Sequence, residues 1–148
     1  MKSFLKKHLS IGLILLAALT VPATAEVKIE KYKMGDWEDD IGYRQAVRVG
    51  QLLYISGSAA AGEMPDALRG AYGNLDKILK AHGLTFKNVV KENVYTTNLE
   101  ALKANQALRK TYYGKDFPAA TWVQVVRLYQ PDHVLEVEVI AVFPEEKQ

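Results

Sequence analysis

The chain has 148 residues, with 19 basic and 17 acidic side chains, a length that fits one domain better than two. It contains no cysteine, which excludes a disulfide framework, a thiol nucleophile and a thiolate metal site. The histidines beyond the N-terminal segment, His82 and His133, lack the clustered spacing of metal ligands. The sequence therefore predicts no bound metal, and stability must come from an ordinary core or from oligomerisation.

The first 25 residues have the pattern of a secretory signal peptide. Three lysines precede an almost entirely apolar run over residues 9–21, and Ala23-Thr24-Ala25 then gives the small-x-small pattern that a signal peptidase recognises. The alternative is a retained membrane anchor, but a spanning helix needs about 20 apolar residues and this run is shorter. We predict cleavage between Ala25 and Glu26, and a location in the periplasm or in the medium.

Cleavage changes the charge of the chain. Removing the three lysines leaves 16 basic against 17 acidic residues, a formal net charge of −1. The mature chain contains no basic tract that would follow a phosphate backbone. We therefore expect no nucleic acid among the partners and, once the signal is removed, no membrane.

Three strands come first in the mature chain. Residues 27–33 alternate apolar and polar, while residues 43–49 and 52–56 are β-rich runs joined by Gly50-Gln51, which predicts a hairpin. After a small-residue loop over 56–62, a helix is predicted from about Pro65 to His82. Its apolar side chains recur at three- and four-residue steps, and Gly83 suits its C-terminal end.

The second half of the chain contains three further strands and one helix. Residues 89–96 form the next strand candidate, and Thr97 with Glu100 fits a capping box that begins a helix extending to about Tyr113. The last strand candidates are 120–128 and 134–142. The order β-β-β-α-β-α-β-β predicts a two-layer α/β (α+β) domain over residues 26–148, with helices on one face of a mixed sheet. Because apolar residues occur at both parities in several strands, we expect identical subunits to cover the other face.

Several stretches of the mature chain together resemble the RidA (YjgF, endoribonuclease L-PSP) family. No single fragment is decisive, but the set is specific in its order and spacing. In chain order, the resembling segments are Tyr43–Val47, Gly50–Gly57, Val89–Tyr95, Asn105, Phe117–Ala119 and Val134–Val142.

The resemblance implies a fold, an assembly and an activity. The fold is chorismate-mutase-like, and the assembly is a homotrimer with a small-molecule pocket at each subunit interface. The activity is the hydrolysis of reactive 2-imino or 2-enamino acids to 2-keto acids and ammonia, without a metal or an organic cofactor.

One residue that this activity needs is missing. In active members, an arginine that follows proline-alanine forms a bidentate salt bridge to the substrate carboxylate, an anion that the planar guanidinium suits. Here Pro118-Ala119 is followed by Ala120. Strand alternation places Trp122 on the same face as Ala120, so its indole is predicted to occupy the vacated space. The alternative is that Trp122 is a core residue.

Two glutamates near the C-terminus are the candidates for chemistry. Glu136 matches the family glutamate that positions or activates the attacking water, and Glu138 shares its face by alternation. Paired glutamates usually lie on a solvated strand face, but the flanking residues here are too apolar for a fully exposed edge. Without an adjacent arginine, burial favours the protonated form of Glu136. We therefore expect the pocket to prefer neutral or cationic ligands over keto or imino acids.

The other site candidates also follow the family pattern. Tyr43 and Asn105 would supply a pocket hydroxyl and a pocket amide, or else be an interface tyrosine and a helix-surface asparagine. Ser56-Gly57 would supply a hydroxyl and backbone donors, or else serve the turn alone. The arginines that could in principle replace the missing cation are Arg44, Arg48, Arg109 and Arg127.

The sequence leaves three hypotheses about the function open. The first is a family member that binds a small molecule between subunits without deaminase activity. The second is a hydrolase that acts through Glu136 with Tyr43 and Ser56. The third is a stable trimer that acts through its outer surface.

Overall fold

The structure is a computed structural model, and it describes residues 26–145. The predicted signal peptide lies outside these residues. The elements, in chain order, are β1 (Ile29–Tyr32), α1 (Trp37–Asp40), β2 (Ala46–Val49), β3 (Leu52–Ala61), α2 (Met64–Ala81), a 3₁₀ turn (Phe86–Asn88), β4 (Val89–Thr96), α3 (Leu99–Ala104), α4 (Gln106–Tyr113), β5 (Ala119–Gln124) and β6 (His133–Val142).

The strands form one mixed sheet with the order β1-β2-β3-β6-β4-β5. Neighbouring strands are antiparallel except for β4 and β5, which are parallel. The long helix α2 packs on β3 and β6, and α4 packs beside α2. This arrangement confirms the predicted α+β architecture with its helices on one face of a mixed sheet. No helix within residues 26–145 is long and apolar enough to cross a membrane.

The core lies between α2 and the sheet. Leu68, Tyr72, Leu75 and Leu79 recur at steps of three and four residues on α2, and all are fully buried. They pack with the alternate residues of the central strands that face the helices, such as Val137 of β6. We call this side of the sheet the helix-facing side and the opposite side the outer face.

Three details differ from the sequence prediction. The short helix α1 was not predicted, because a helix of four residues shows no periodicity. The predicted single helix is divided into α3 and α4 at Asn105, and the α3 N-cap is Asn98, whose side chain accepts a hydrogen bond from the Ala101 amide at 2.9 Å. Thr97 does not cap the helix, because its own amide still donates to the Val134 carbonyl in the sheet.

The fifth strand is also shorter than the predicted range of 120–128. It is an edge strand that pairs only with β4, and the last matched residues are Thr96 and Gln124. Beyond Gln124 the backbone has no neighbouring strand to pair with. The residues that follow leave the sheet, and Val126 is fully exposed to solvent.

Candidate functional site

Glu136 and Gly57 form the centre of a polar cluster on the outer face. Glu136 lies on β6 opposite Ala59 of β3, and its carboxylate lies directly over Gly57. A Cβ atom on residue 57 would lie 1.9 Å from Glu136 Oε1, so only glycine leaves room for the carboxylate in this place. A β-bulge in β3 at this point fits the role of bulges in directing side chains beside functional sites.

Tyr43 and Ser56 complete this cluster. Burial raises the pKa of the Tyr43 hydroxyl, a hydrogen bond with Ser56 opposes the rise, and the charges of Glu38 and Glu136 add to it. Ser56 Oγ donates to the Arg44 carbonyl at 2.7 Å. We refer to Tyr43, Ser56, Gly57 and Glu136 as the Glu136 cluster.

A buried glutamate that the sequence analysis missed fixes the position of Tyr43. The Glu38 side chain is fully buried and accepts hydrogen bonds from the Met34 and Gln45 amides at 2.7 and 2.9 Å. The Tyr43 amide donates to the Glu38 carbonyl, and the Tyr43 ring stacks on Trp37. Glu38 therefore organises the loop that presents Tyr43 to the outer face. In the sequence, the acidic run around Glu38 is typical of a solvated surface.

Burial raises the pKa of the Glu136 carboxyl, the charge of Glu138 raises it further, and His133 opposes the rise. The carboxyl makes no hydrogen bond with another side chain within residues 26–145, and it is half-buried. A half-buried carboxyl with a raised pKa keeps its proton to higher pH than an ordinary surface glutamate does. The Glu136 carboxyl therefore has unoccupied hydrogen-bond positions for a ligand.

Glu138 differs from Glu136 because it already has partners. Glu138 Oε1 accepts hydrogen bonds from Asn93 Nδ2 at 2.7 Å and from the Tyr95 hydroxyl at 3.0 Å. All three side chains lie on the outer face, and Asn93 and Glu138 border a cavity of about 190 Å³ that Ser56 and Lys91 also line. Glu138 therefore forms a fixed part of the cavity wall beside the Glu136 cluster.

Ala120 and Trp122 lie on the other side of the sheet. In the parallel register of β4 and β5, Ala120 matches Glu92 and Trp122 matches Val94. Glu92 and Val94 are fully buried beneath the helices, so Ala120 and Trp122 also face that side. Asn105 lies at the junction of α3 and α4, and its amide Nδ2 donates to the Ala101 carbonyl at 2.9 Å.

A buried network centred on Glu92 holds the Trp122 indole. The Glu92 carboxylate accepts hydrogen bonds from the Tyr72 and Tyr113 hydroxyls at 2.6 and 2.7 Å. It also accepts from Arg109 Nη2 at 2.6 Å and Nε at 2.9 Å, and from Trp122 Nε1 at 3.2 Å. The Arg109 guanidinium lies 4.9 Å from the centre of the Trp122 ring. We call these five residues the Glu92 network.

The Glu92 network was missed in the sequence analysis, although two signals were present. Glu92 is two residues before Val94, on the buried side of a strand whose alternate residues are buried. Arg109 is seven residues after the buried Leu102, about two helical turns, which places both on one side. An acid and a base at buried positions of neighbouring elements indicate a buried ion pair. Burial alone would lower the pKa of Arg109, but the hydrogen bonds and charge of Glu92 outweigh it and raise that pKa.

None of the arginines proposed as replacements is free to serve the Glu136 cluster. Arg44 bonds Asp39 at 2.6 Å, and Arg109 is committed to Glu92. Arg48 lies over the Phe143 ring, and Arg127 donates to the carbonyls of Leu128 and Tyr129. Within residues 26–145, none of these four guanidinium groups forms an ion pair or a hydrogen bond with Glu136.

The site residues predicted from the sequence thus fall into two groups. Tyr43, Ser56, Gly57 and Glu136, with Glu138 beside them, lie together on the outer face. Ala120 and Trp122 lie at the β5 edge on the helix-facing side, and Asn105 lies at the α3–α4 junction among the helices on that side. The sheet separates the groups, so one chain does not bring them into a single pocket.

Several solved structures share this arrangement of elements. Rv2704 from Mycobacterium tuberculosis, a member of the YjgF/YER057c/UK114 family, is 25% identical and superposes with a TM-score of 0.72, covering 78% of this chain and 100% of its own. TdcF from E. coli, solved with bound serine, is 27% identical with a TM-score of 0.64, covering 69% and 88%. The fold is therefore that of an α+β protein of the YjgF type.

Comparison of sequences specifies the family. The family model described as Endoribonuclease L-PSP matches residues 38–143, and the chain belongs to this family. The 2-iminobutanoate/2-iminopropanoate deaminase of Mus musculus is 35% identical over 109 residues, which cover 68% of this chain and 80% of the relative. The protein of the same name from Capra hircus is 36% identical over 109 residues, covering 68% and 79%.

Proposed function

We propose that this protein is an exported member of the family that binds a small molecule in a pocket between subunits and has lost 2-imino acid deaminase activity. The pocket forms in a homotrimer, where the Glu136 cluster of one subunit meets the Ala120–Trp122 edge of the next. The location outside the cytoplasm follows from the predicted signal peptide.

The separation of the two groups of site residues supports the assembly. Both groups occupy positions that belong to the site in the family pattern, yet they lie on opposite sides of one sheet. The outer face includes half-buried or exposed apolar side chains, such as Tyr54, Val123 and Ile140, that a neighbouring subunit would cover. Sedimentation of the mature chain tests this step. We expect a trimer, and a monomer at micromolar concentration would contradict the proposal.

The loss of activity rests on the observation that no guanidinium is available to bind a carboxylate. Ala120 replaces the arginine, and the nearest cation in the Glu92 network, Arg109, is neutralised by a bidentate bond to a buried carboxylate. Taking Arg109 from Glu92 would leave a buried charge without a partner, which costs about 3–5 kcal/mol. The pocket therefore favours neutral or cationic ligands, whose binding does not require that cation.

Ammonia release from 2-iminopropanoate, generated in a coupled assay, tests the loss of activity. We expect the mature protein to give no rate above the uncatalysed reaction. Ala120→Arg returns the guanidinium, and Ala120→Arg with Trp122→Ala also removes the indole from the same face. A gain of activity in either variant would show that the Glu136 cluster is intact. Clear turnover by the unmodified protein would contradict the proposal.

A second candidate function is supported by the protonation behaviour of Glu136. Its raised pKa and free hydrogen-bonding capacity suit a general acid or base, so the chain would be a hydrolase acting through Glu136 with Tyr43 and Ser56. Turnover that Glu136→Gln abolishes while Glu138→Gln retains it would favour this function. Calorimetry with pyruvate separates the two candidates further, because tight binding of a small carboxylate contradicts the neutral-ligand proposal.

A further inference from the structure

A second cavity lies on the helix-facing side of the sheet, whereas the Glu136 cluster lies on the outer face. The two adjoin at Gln45, which lines the cavity and whose carbonyl accepts a hydrogen bond from the Ser56 amide at 3.0 Å. The cavity has a volume of about 440 Å³ and opens between the C-terminal half of α2 and the β1–β2 end of the sheet. The sheet order places β1 and β5 at opposite edges, so this cavity is separated from Ala120 and Trp122 by the width of the sheet. Its volume is within the range of pockets that hold small molecules.

The walls of this cavity are largely apolar. They are formed by the Tyr32 ring, the Met34 side chain, Ala46, Ile78 and Ala81. The Tyr32 ring meets the His82 imidazole edge to face at 4.5 Å, which fixes both rings at one end of the cavity. A flat or branched apolar body of about ring size would fill this space.

Three side chains provide polar contacts at the same cavity. Gln45 lines it and is 9% exposed, yet its side-chain amide makes no hydrogen bond with any described residue. The buried side-chain atoms without a partner do not include those of Gln45, so its amide keeps some exposure and is open to a ligand that enters the cavity. Asn74 and Lys77 line the cavity from α2, four residues and one residue before Ile78.

The charge around the cavity is one-sided. Its lining contains Lys33, Lys77 and His82, and no aspartate or glutamate. Lys33 is already paired with Asp36 and Asp39, both at 2.8 Å. Lys77 makes no ion pair with any residue in the range 26–145, whereas Lys80 on the same helix is paired with Asp76. One unpaired ammonium at the edge of an apolar cavity is complementary to one negative charge.

We infer that this cavity is a second ligand site, which binds a small carboxylate with an apolar, ring-sized body. The carboxylate would accept hydrogen bonds from Lys77 Nζ and from the Gln45 amide, and the body would contact Tyr32, Ile78 and Ala81. A single free cation with neutral amide donors suits a monoanion. The site is independent of the pocket between subunits, and it does not rest on the function proposed above.

Calorimetric titration of the mature protein with naphthoate tests the inference, with naphthalenemethanol as the neutral probe of the same shape. We expect saturable binding of naphthoate and roughly tenfold weaker binding of the alcohol, because one charge-assisted contact is lost. Lys77→Gln should weaken naphthoate binding by about the same factor. The matched control Lys110→Gln, which changes an exposed lysine on α4, should leave the affinity unchanged.

A cavity-filling variant and a spectroscopic signal locate the bound probe. Ala81→Phe places a ring in the cavity from an exposed helical position, and it should abolish binding while the fold is retained. The side-chain amide resonance of Gln45 should shift on addition of naphthoate. The inference fails if naphthoate does not bind, or if Ala81→Phe and Lys77→Gln bind it as tightly as the unmodified protein. Loss of binding in Glu136→Gln would also overturn it, because the probe would then occupy the other site.

Discussion

Glu92 and Glu136 are carboxylates on opposite sides of the same sheet, and their surroundings differ in almost every respect. Glu92 is fully buried and accepts hydrogen bonds from two tyrosines, one arginine and one tryptophan. Glu136 is half-buried, and its nearest packing partner is Gly57, which offers only backbone. A carboxylate has about four acceptor positions. Those of Glu92 are occupied and those of Glu136 are largely free.

The difference indicates which carboxylate can do chemistry. A saturated, buried carboxylate holds its neighbours in place and has no capacity left for a ligand. An unsaturated carboxyl on an open face, with a raised pKa, retains capacity for a ligand, a water molecule or a proton. In the proposed pocket, Glu92 would therefore act only through Trp122, whereas Glu136 would contact the ligand itself.

The largest expected effect is on stability, from removing the cation of the Glu92 network. Arg109→Met leaves the Glu92 carboxylate buried without its ionic partner, so the free energy of unfolding should fall by about 3–5 kcal/mol. Denaturant unfolding measures the change. The control Arg127→Met, at an exposed arginine that bonds only carbonyls, should change it by no more than about 0.5 kcal/mol.

A double variant separates the ion pair from simple packing. In Glu92→Gln with Arg109→Met, the amide oxygen still accepts from the tyrosines while no charge remains buried. We expect this variant to regain more than half of the stability that Arg109→Met loses. Glu92→Gln and Arg109→Met are also measured alone. If their stability losses simply add in the double variant, the carboxylate and guanidinium are not coupled, and the structural role assigned to Glu92 is wrong.

The next largest effect concerns the indole that Glu92 holds. Trp122→Phe keeps an aromatic ring but removes the Nε1–H donor, so the free energy of unfolding should fall by about 0.5–1.5 kcal/mol. Trp37→Phe is the matched control, because Trp37 is 52% exposed and donates no side-chain hydrogen bond to a described residue. Equal losses in the two variants would contradict the proposed contact between Trp122 and Glu92.

The fold was predictable from the sequence to the extent that it depends on local pattern. The strand alternation and the three- and four-residue steps of α2 predicted the order of elements. The family resemblance implied a chorismate-mutase-like fold. The end of β5 was not predictable, because it depends on where its neighbour β4 ends. The four-residue helix α1 is too short to leave a periodic signal.

The candidate site was predictable only in part. Alternation correctly placed Ala120 and Trp122 on one face, and the structure brings Tyr43, Ser56 and Gly57 to Glu136. What alternation could not supply is the side of the sheet on which each group lies, because that requires the register between strands and the docking of helices. For the same reason, the sequence signals at Glu92 and Arg109 indicated two buried charges but not that these residues pair with each other across 17 positions.

A smaller change in stability is expected from adding one carbon beside Glu136. Gly57 does not have a positive φ, so alanine is compatible with its backbone. The new Cβ would overlap the Glu136 carboxylate, which can move because it is the end of a flexible side chain. Gly57→Ala should change the free energy of unfolding by less than about 1 kcal/mol, while the pKa of Glu136, followed by carbon NMR, moves towards its ordinary value.

Gly73→Ala is the matched control for this variant. A Cβ on residue 73 meets nothing within 4 Å, and alanine is the better helix former, so stability should rise by up to about 1 kcal/mol. The pKa of Glu136 should not change in this control. An unchanged pKa in Gly57→Ala as well would show that the glycine does not define the position of the carboxylate.

The smallest effect is the pH dependence of stability that Glu136 contributes. Burial raises its pKa in the folded state above the value of the unfolded chain, so its favourable contribution is complete below the unfolded pKa. That contribution is lost as pH rises through the folded pKa, because the half-buried carboxyl must then ionise. Glu136→Gln cannot ionise, so its free energy of unfolding relative to the unmodified protein should increase from pH 4 to pH 7. If the relative stability of the variant instead decreases over this interval, a cation reaches Glu136 in the assembled protein, and the argument for a neutral ligand no longer holds.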